Sequence, residues 1–159
     1  MLLSQPLAYL LTWTTYGTWL PGDQRGWISK KHGFQLPNLP VERRARDAMS
    51  EPVCELDRVQ RQIVEETVRG HCKLRGWRLH AVNCRTNHVH VVVTAANTAP
   101  KRAISELKAW CTRELKARSA SEGNTVTGRR SWWTERGSVR WLFDEASVKA
   151  AIQYVVEGQ

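Results

Sequence analysis

The chain has 159 residues, 42% of them hydrophobic and 25% charged, which excludes an intrinsically disordered protein and fits one sizeable folded core. Its 24 lysines and arginines against 15 acidic residues give a net charge of +9, an excess that suits a polyanionic partner, nucleic acid above all. No apolar run approaches the roughly 18 residues of a membrane span and no signal-type leader opens the chain, so a soluble, cytoplasmic protein is expected, with no membrane partner.

Residues 7–15, LAYLLTWTT, are rich in β-branched and aromatic side chains and read as a first strand. The stretch that follows, YGTWLPGDQRGWISKKHGFQLPNLP, reads as long and irregular, part of a loop insertion at about 16–56 within one catalytic domain covering 1–159. From Asp57 the period turns helical. Leu56, Val59, Ile63, Thr67, Gly70 and Leu74 follow one stripe, Asp57 can cap its start, and Gly76 stops it. WRLHAVNC (77–84) alternates as a strand, and Arg85 and Thr86 leave room only for a tight turn into an antiparallel partner over 87–95.

A second helix spans 99–118, with Pro100 in its first turn and Ile104, Leu107, Cys111 and Leu115 as its buried stripe. Residues 119–131 are polar and read as a loop; SVRWLFD (138–144) alternates as a last strand. Asp144 can cap a final helix over 145–157, whose apolar stripe is Val148, Ile152 and Val155. The order strand, helix, strand, strand, helix, strand, then a further helix predicts an α+β, ferredoxin-like fold: an antiparallel sheet with two helices on one face and the C-terminal helix on the other.

The strand over 87–95 raises a chemical question. Alternation sends Asn87, Val89, Val91 and Val93 one way and His88, His90, Val92 and Thr94 the other. The valine face suits the two crossover helices, and the histidines then look toward the C-terminal helix. Two imidazoles at i and i+2 on a strand can reach a single divalent ion; the plainer alternative is a pair of half-buried histidines on a wet sheet face. Tyr154, the last of three tyrosines, falls off the main stripe of the final helix, on a side shared with Ala150, Ala151 and Glu157. His80 alternates with Arg78 and Val82, giving it a supporting or structural role beside the histidine pair. Cys54, Cys72, Cys84 and Cys111 lack C-x-x-C spacing and read as reduced, partly buried thiols.

NHVHVVV, followed by a helix, by the aromatic-rich WWTERGSVRWLF and then by AAIQYVVEGQ, resembles the single-tyrosine HUH transposases, the group that contains the REP-associated tyrosine transposases. LTWTTYGTWLPGDQRGW is similar to that family's first strand and following loop, so the resemblance covers essentially the whole chain. It implies a metal-dependent enzyme that cleaves and rejoins single-stranded or hairpin DNA through a 5′-phosphotyrosine, with Tyr154 as nucleophile and His88 and His90 holding Mg²⁺ or Mn²⁺. The family takes a third ligand one helical turn past the tyrosine, often a glutamine. Here Gly158 stands at that place, a departure that leaves Gln159 and Glu157 as alternatives. The family includes monomers and homodimers, and both stay open.

Charge mixed with rings marks the stretches fit for a single strand: Arg25, Trp27, Lys30 and Lys31 in the first loop, and Arg129, Arg130, Trp132 and Trp133 before the last strand. Lys101, Arg102 and Lys108, with Arg113 and Lys116, line the second helix; some of them are expected to track the DNA strand, against the ordinary role of a solvated face. The competing readings are a non-catalytic ferredoxin-like binder of single-stranded nucleic acid and an inactive, domesticated relative. A sheet-face binder needs exposed rings on its central strands, and HVHVVV offers imidazoles instead.

Overall fold

The computed structural model of the chain describes residues 5–121 and 128–157. Four strands, β1 (Ala8–Thr14), β4 (Arg78–Cys84), β5 (His88–Thr94) and β6 (Ser138–Leu142), form an antiparallel sheet in the order β4–β5–β1–β6. Helices α2 (Arg58–Arg75) and α3 (Pro100–Ser121) connect β1 to β4 and β5 to β6, and α4 (Glu145–Glu157) follows β6. The result is an α+β fold in the element order read from the sequence.

The alternation of β5 divides the core in two. Val89, Val91 and Val93 are buried with Leu11 and Trp13 of β1, with Ile63, Val64, Val68 and Cys72 of α2, and with Ala103, Ile104, Leu107, Cys111 and Leu115 of α3. Val92 belongs to a separate cluster with Ala8 and Leu10 of β1, Ala81 of β4, Leu142 of β6, and Ala151 and Val155 of α4. The expected stripe of α3 is buried as read. That of α2 is rotated: Ile63, Val64, Val68, His71 and Cys72 are buried, whereas Val59 and Leu74 are exposed. Positions i, i+1, i+5, i+8 and i+9 describe the same helix as the longer-spaced set, and contact with α3 selects between them. The helix ends follow the sequence closely. Asp57 accepts from the amide of Gln60 while the Gln60 side chain accepts from the amide of Asp57, and Gly76 at φ 70° closes the C-terminus.

Two expectations change. The stretch after β1 is not irregular throughout: it carries a hairpin of β2 (Trp27–Ser29) and β3 (Gly33–Gln35), then helix α1 (Leu39–Asp47) capped by Asn38. Neither leaves a hydrophobic signature, because the strands have three residues each and α1 buries none. In β4, His80 is an extra residue: Leu79 pairs with Val93 and Ala81 with Val92. This bulge switches the alternation midway, so Val82 packs on the α2–α3 side and does not share a face with Arg78 and His80. All four cysteines are buried free thiols.

Candidate active site

The cross-strand register lines up one polar row. Asn83 of β4, His90 of β5, Thr12 of β1 and Ser138 of β6 stand side by side, and His88 pairs with Thr14 one step along. Opposed residues share a sheet face, so five strand residues of hydrogen-bonding or metal-binding type surround His90. The His88 and His90 rings lie 4.9 Å apart between centroids. Tyr154, carried over them on α4, places its ring 5.4 Å from that of His90 in an edge-on contact and is 46% exposed. Two features bring it there: Ala151 and Val155 seat α4 on Leu10 and Val92, and the Asn83 amide donates to the Val155 carbonyl at 2.8 Å.

Each imidazole is held at Nδ1. The Asn87 side-chain oxygen, which can only accept, takes the Nδ1 hydrogen of His88 at 2.7 Å and so fixes the orientation of the ring. The Thr12 hydroxyl meets Nδ1 of His90 at 2.7 Å. His90 is only 7% exposed, and burial, with the charges of His88 and Arg85 behind it, pushes its pKa down to about 4. It is therefore a neutral imidazole at neutral pH, the form that binds metals. Two oriented imidazoles, that of His90 neutral, fit a divalent cation as part of a ligand set. No group of three histidine, cysteine, aspartate or glutamate side chains suited to a metal occurs among the described residues, so further donors must be of another kind or lie elsewhere.

The family model described as "Transposase IS200 like" matches residues 52–157, more than half of the chain and the whole of the histidine strand and tyrosine helix. The chain belongs to the IS200-like transposase family. No curated protein matches it in sequence. Two solved structures share the fold of this IS200-like transposase. One is the REP-associated tyrosine transposase bound to a REP hairpin, 9% identical, with a TM-score of 0.52 over 98% of this chain and 68% of that one. The other is a protein of Deinococcus radiodurans R1 taken to be a transposase, 14% identical, with a TM-score of 0.51 over 99% of this chain and 94% of that one.

The structure brings Tyr154, His88 and His90 of this transposase together. Glu157 is exposed at the end of α4, where its carboxylate accepts from Gln153 at 3.3 Å; Gln159 lies outside the described residues. His80 stands at the far end of the sheet face, bonded through Nε2 to Thr94, four residues along β5 from His90. The basic and aromatic candidates are scattered. Arg25 pairs with Asp23 at 2.8 Å and covers the Trp19 ring at 3.9 Å. Trp27 donates to the Leu36 carbonyl, Lys30 pairs with Glu135, and Lys31 is exposed beside it.

On α3, Lys101 and Arg102 are exposed, and Arg102 faces Glu106. Lys108 is half-buried and donates to the carbonyls of Thr134 and Arg136; burial brings its pKa down to about 8. Arg129 reaches the carbonyls of Pro52 and Ser131, and Arg130 is exposed with its amide on Glu51. Trp132 is in the core, and Trp133 donates to Thr112 with its ring edge-on to Trp13. The sequence reading passed over Thr12, Thr14, Asn83 and Ser138. The alternation of LTWTT already put the threonines of β1 on one face, but only the register shows that the face is the histidine face. No helix among the described residues is long and apolar enough to cross a membrane.

Proposed function

We propose that this IS200-like transposase cleaves and rejoins single-stranded DNA, with Tyr154 as nucleophile and His88 and His90 as two ligands of a divalent cation. The observation that carries the reading is the edge-on contact of Tyr154 with His90, itself in contact with His88, on a face with a neutral, hydrogen-bonded imidazole. Bound there, Mg²⁺ or Mn²⁺ would polarise a non-bridging phosphate oxygen and draw charge from phosphorus. Of the two candidates for a third ligand, Glu157 accepts from Gln153 and forms no three-residue group with the histidines among the described residues, which favours Gln159. Helix α4, on the sheet face opposite α2 and α3 of a ferredoxin-like fold, serves as the nucleophile-bearing helix.

The chain's own residues supply position. Thr12 and Asn87 fix the imidazoles at Nδ1, and Asn83 with the Ala151 and Val155 contacts fixes the helix. Tyr154 Oη bonds to phosphorus as the bond from phosphorus to O3′ breaks; the phenolic proton leaves to solvent, and O3′ takes up a proton. A 5′-phosphotyrosine and a free 3′-hydroxyl result, and because the new ester keeps the bond energy, another 3′-hydroxyl reverses the step without ATP. The +9 charge supports a DNA partner, and the REP hairpin held by the solved relative supports hairpin DNA as its form. Among the basic and aromatic candidates, Lys30, Lys31, Lys101, Arg102 and Arg130 keep exposed heads that suit strand contacts.

The test is a covalent adduct. A labelled pool of hairpin-bearing single strands is incubated with the protein and Mn²⁺ and resolved on a denaturing gel. Adducts are expected with the native protein and absent with chelator or with Tyr154→Phe. Adducts that survive Tyr154→Phe overturn the assignment of the nucleophile, and saturable binding with no adduct overturns the enzymatic reading.

A further inference from the structure

Helix α4 covers only part of the histidine face. It starts beside β6, to which it is joined, and crosses toward β4, where Asn83 holds its end. Its side chains cover Ala8, Leu10, Ala81, Val92 and Leu142. The remainder, over β1 and β6, stays open: Thr12 and Thr14 are half-buried, and Ser138 and Arg140 are exposed. Arg140 pairs with Leu10 and lies two residues before Leu142, so its side chain shares this face.

Several arginines on the helices are matched by carboxylates: Arg69 with Glu65, Arg75 and Arg102 with Glu106, Arg118 with Glu66. The four strands of the sheet contain no aspartate or glutamate, and Arg140 has no carboxylate partner among the described residues. The nearest acids in sequence are otherwise placed: Glu135 holds Lys30, and Asp144 caps the α4 N-terminus through the Ser147 amide. An uncompensated guanidinium on a carboxylate-free floor, beside hydroxyls, is complementary to a phosphodiester backbone.

We propose that this open floor, Thr12, Thr14, Ser138 and Arg140, is the track for the DNA on the 5′ side of the scissile phosphate, with Arg140 clamping one of its phosphates. The inference rests on the nuclease reading and deepens it. Displacement at phosphorus is in line, so O3′ departs on the side away from Tyr154 Oη. Tyr154 comes from the α4 end anchored on β4; the side away from it, past His90, is Thr12 and then β6. Two strand spacings across and two residues along put the Arg140 backbone about 12 Å from that of His90, within reach of a phosphate a nucleotide or two upstream of the cleaved one. The strand held there ends, after cleavage, in the 3′-hydroxyl needed for rejoining. Arg140 is a positioning residue: it holds the strand that must come back.

The experiment compares the full chain with Arg140→Gln, Arg140→Lys and Arg69→Gln, the last removing an equal charge from α2. Affinity for a fluorescent 20-nucleotide oligothymidylate is measured across a salt series. Arg140→Gln is expected to weaken binding about tenfold, as for a lost charge-assisted bond, and to reduce the salt slope by about 0.7, the contribution of one single-strand phosphate. Arg140→Lys restores the slope, and Arg69→Gln matches the native protein. On an uncut hairpin strand labelled at its 5′ end, the cleaved 3′-hydroxyl fragment is expected to stay bound in a native gel and to be released by Arg140→Gln. Equal affinity and slope for Arg140→Gln and Arg69→Gln overturn the track. A 5′-labelled fragment that Arg140→Gln retains as the native protein does overturns its direction. A native protein that forms no adduct sinks the nuclease reading alone, and the oligothymidylate measurement still judges the surface.

Discussion

Gly137 ties the fold to the site, and replacing it by alanine is a sharp test of that link. The residue precedes β6, and its φ is one that alanine accepts, so backbone strain is not at issue. A Cβ built there lies 2.7 Å from the carbonyl oxygen of Thr12 and 3.3 Å from both Trp13 Cβ and Ile104 Cδ1. A carbon and a carbonyl oxygen in close weak contact stay about 3.3 Å or more apart, so roughly 0.5 Å must be found. The oxygen belongs to a central strand paired on both sides and cannot withdraw; β6 must move outward, and its Thr12–Ser138 pairing weakens. Overpacking of this kind costs about 1–3 kcal/mol. With a urea m-value of about 2 kcal/mol/M, the unfolding midpoint of Gly137→Ala falls by about 0.5–1.5 M. Gly70→Ala is the control of opposite sign. Its Cβ meets nothing within 4 Å inside α2, and alanine there stabilises by about 0.5–1 kcal/mol. A Gly137→Ala midpoint equal to or above that of the native protein would refute the argument that β6 is held in contact with Thr12.

Three other substitutions probe neighbouring links. Thr12→Val keeps the shape and strand preference of the residue but removes the partner of His90 Nδ1; the Mn²⁺ concentration giving half-maximal adduct should rise about 10- to 100-fold with the urea midpoint little changed. Asp57→Ala removes the capping box of α2 and should cost about 1 kcal/mol in urea unfolding. His80 is held below the usual histidine range by burial and then by Arg78, so it is neutral in the folded chain. As pH falls below 6.5 the unfolded chain takes that proton first, and stability declines with falling pH; His80→Gln should show a shallower decline below pH 6.5, and an identical slope would contradict the assigned direction.

What the sequence disclosed depended on whether a signal was local. The β5 alternation, the α3 stripe and the Asp57 and Gly76 caps are patterns within one element, and each appears where it was read. Helix α1 escaped because its turns bury nothing, and the three-residue strands of the hairpin are too short to show a period. The site divided along the same line. His88, His90 and Tyr154 stood out by residue type, whereas Thr12 gains its meaning from a partner 78 positions away, set by register alone. Charge and ring content could not separate a surface Lys101 from a Lys108 bonded to two carbonyls, or an exposed ring from Trp132 in the core.

The extra residue in β4 has the widest reach of any single detail. Before it, odd positions of the strand look toward α2 and α3; after it, even positions do, and so Asn83 faces α4 and can grip the helix that carries the tyrosine. A regular strand of the same sequence, with His80 opposite Val92, would present Val82 to that helix and hide Asn83 beneath α2. One inserted amino acid therefore acts as a phase shifter, setting which side of a strand speaks to the chemistry without altering a single side chain within the reaction centre.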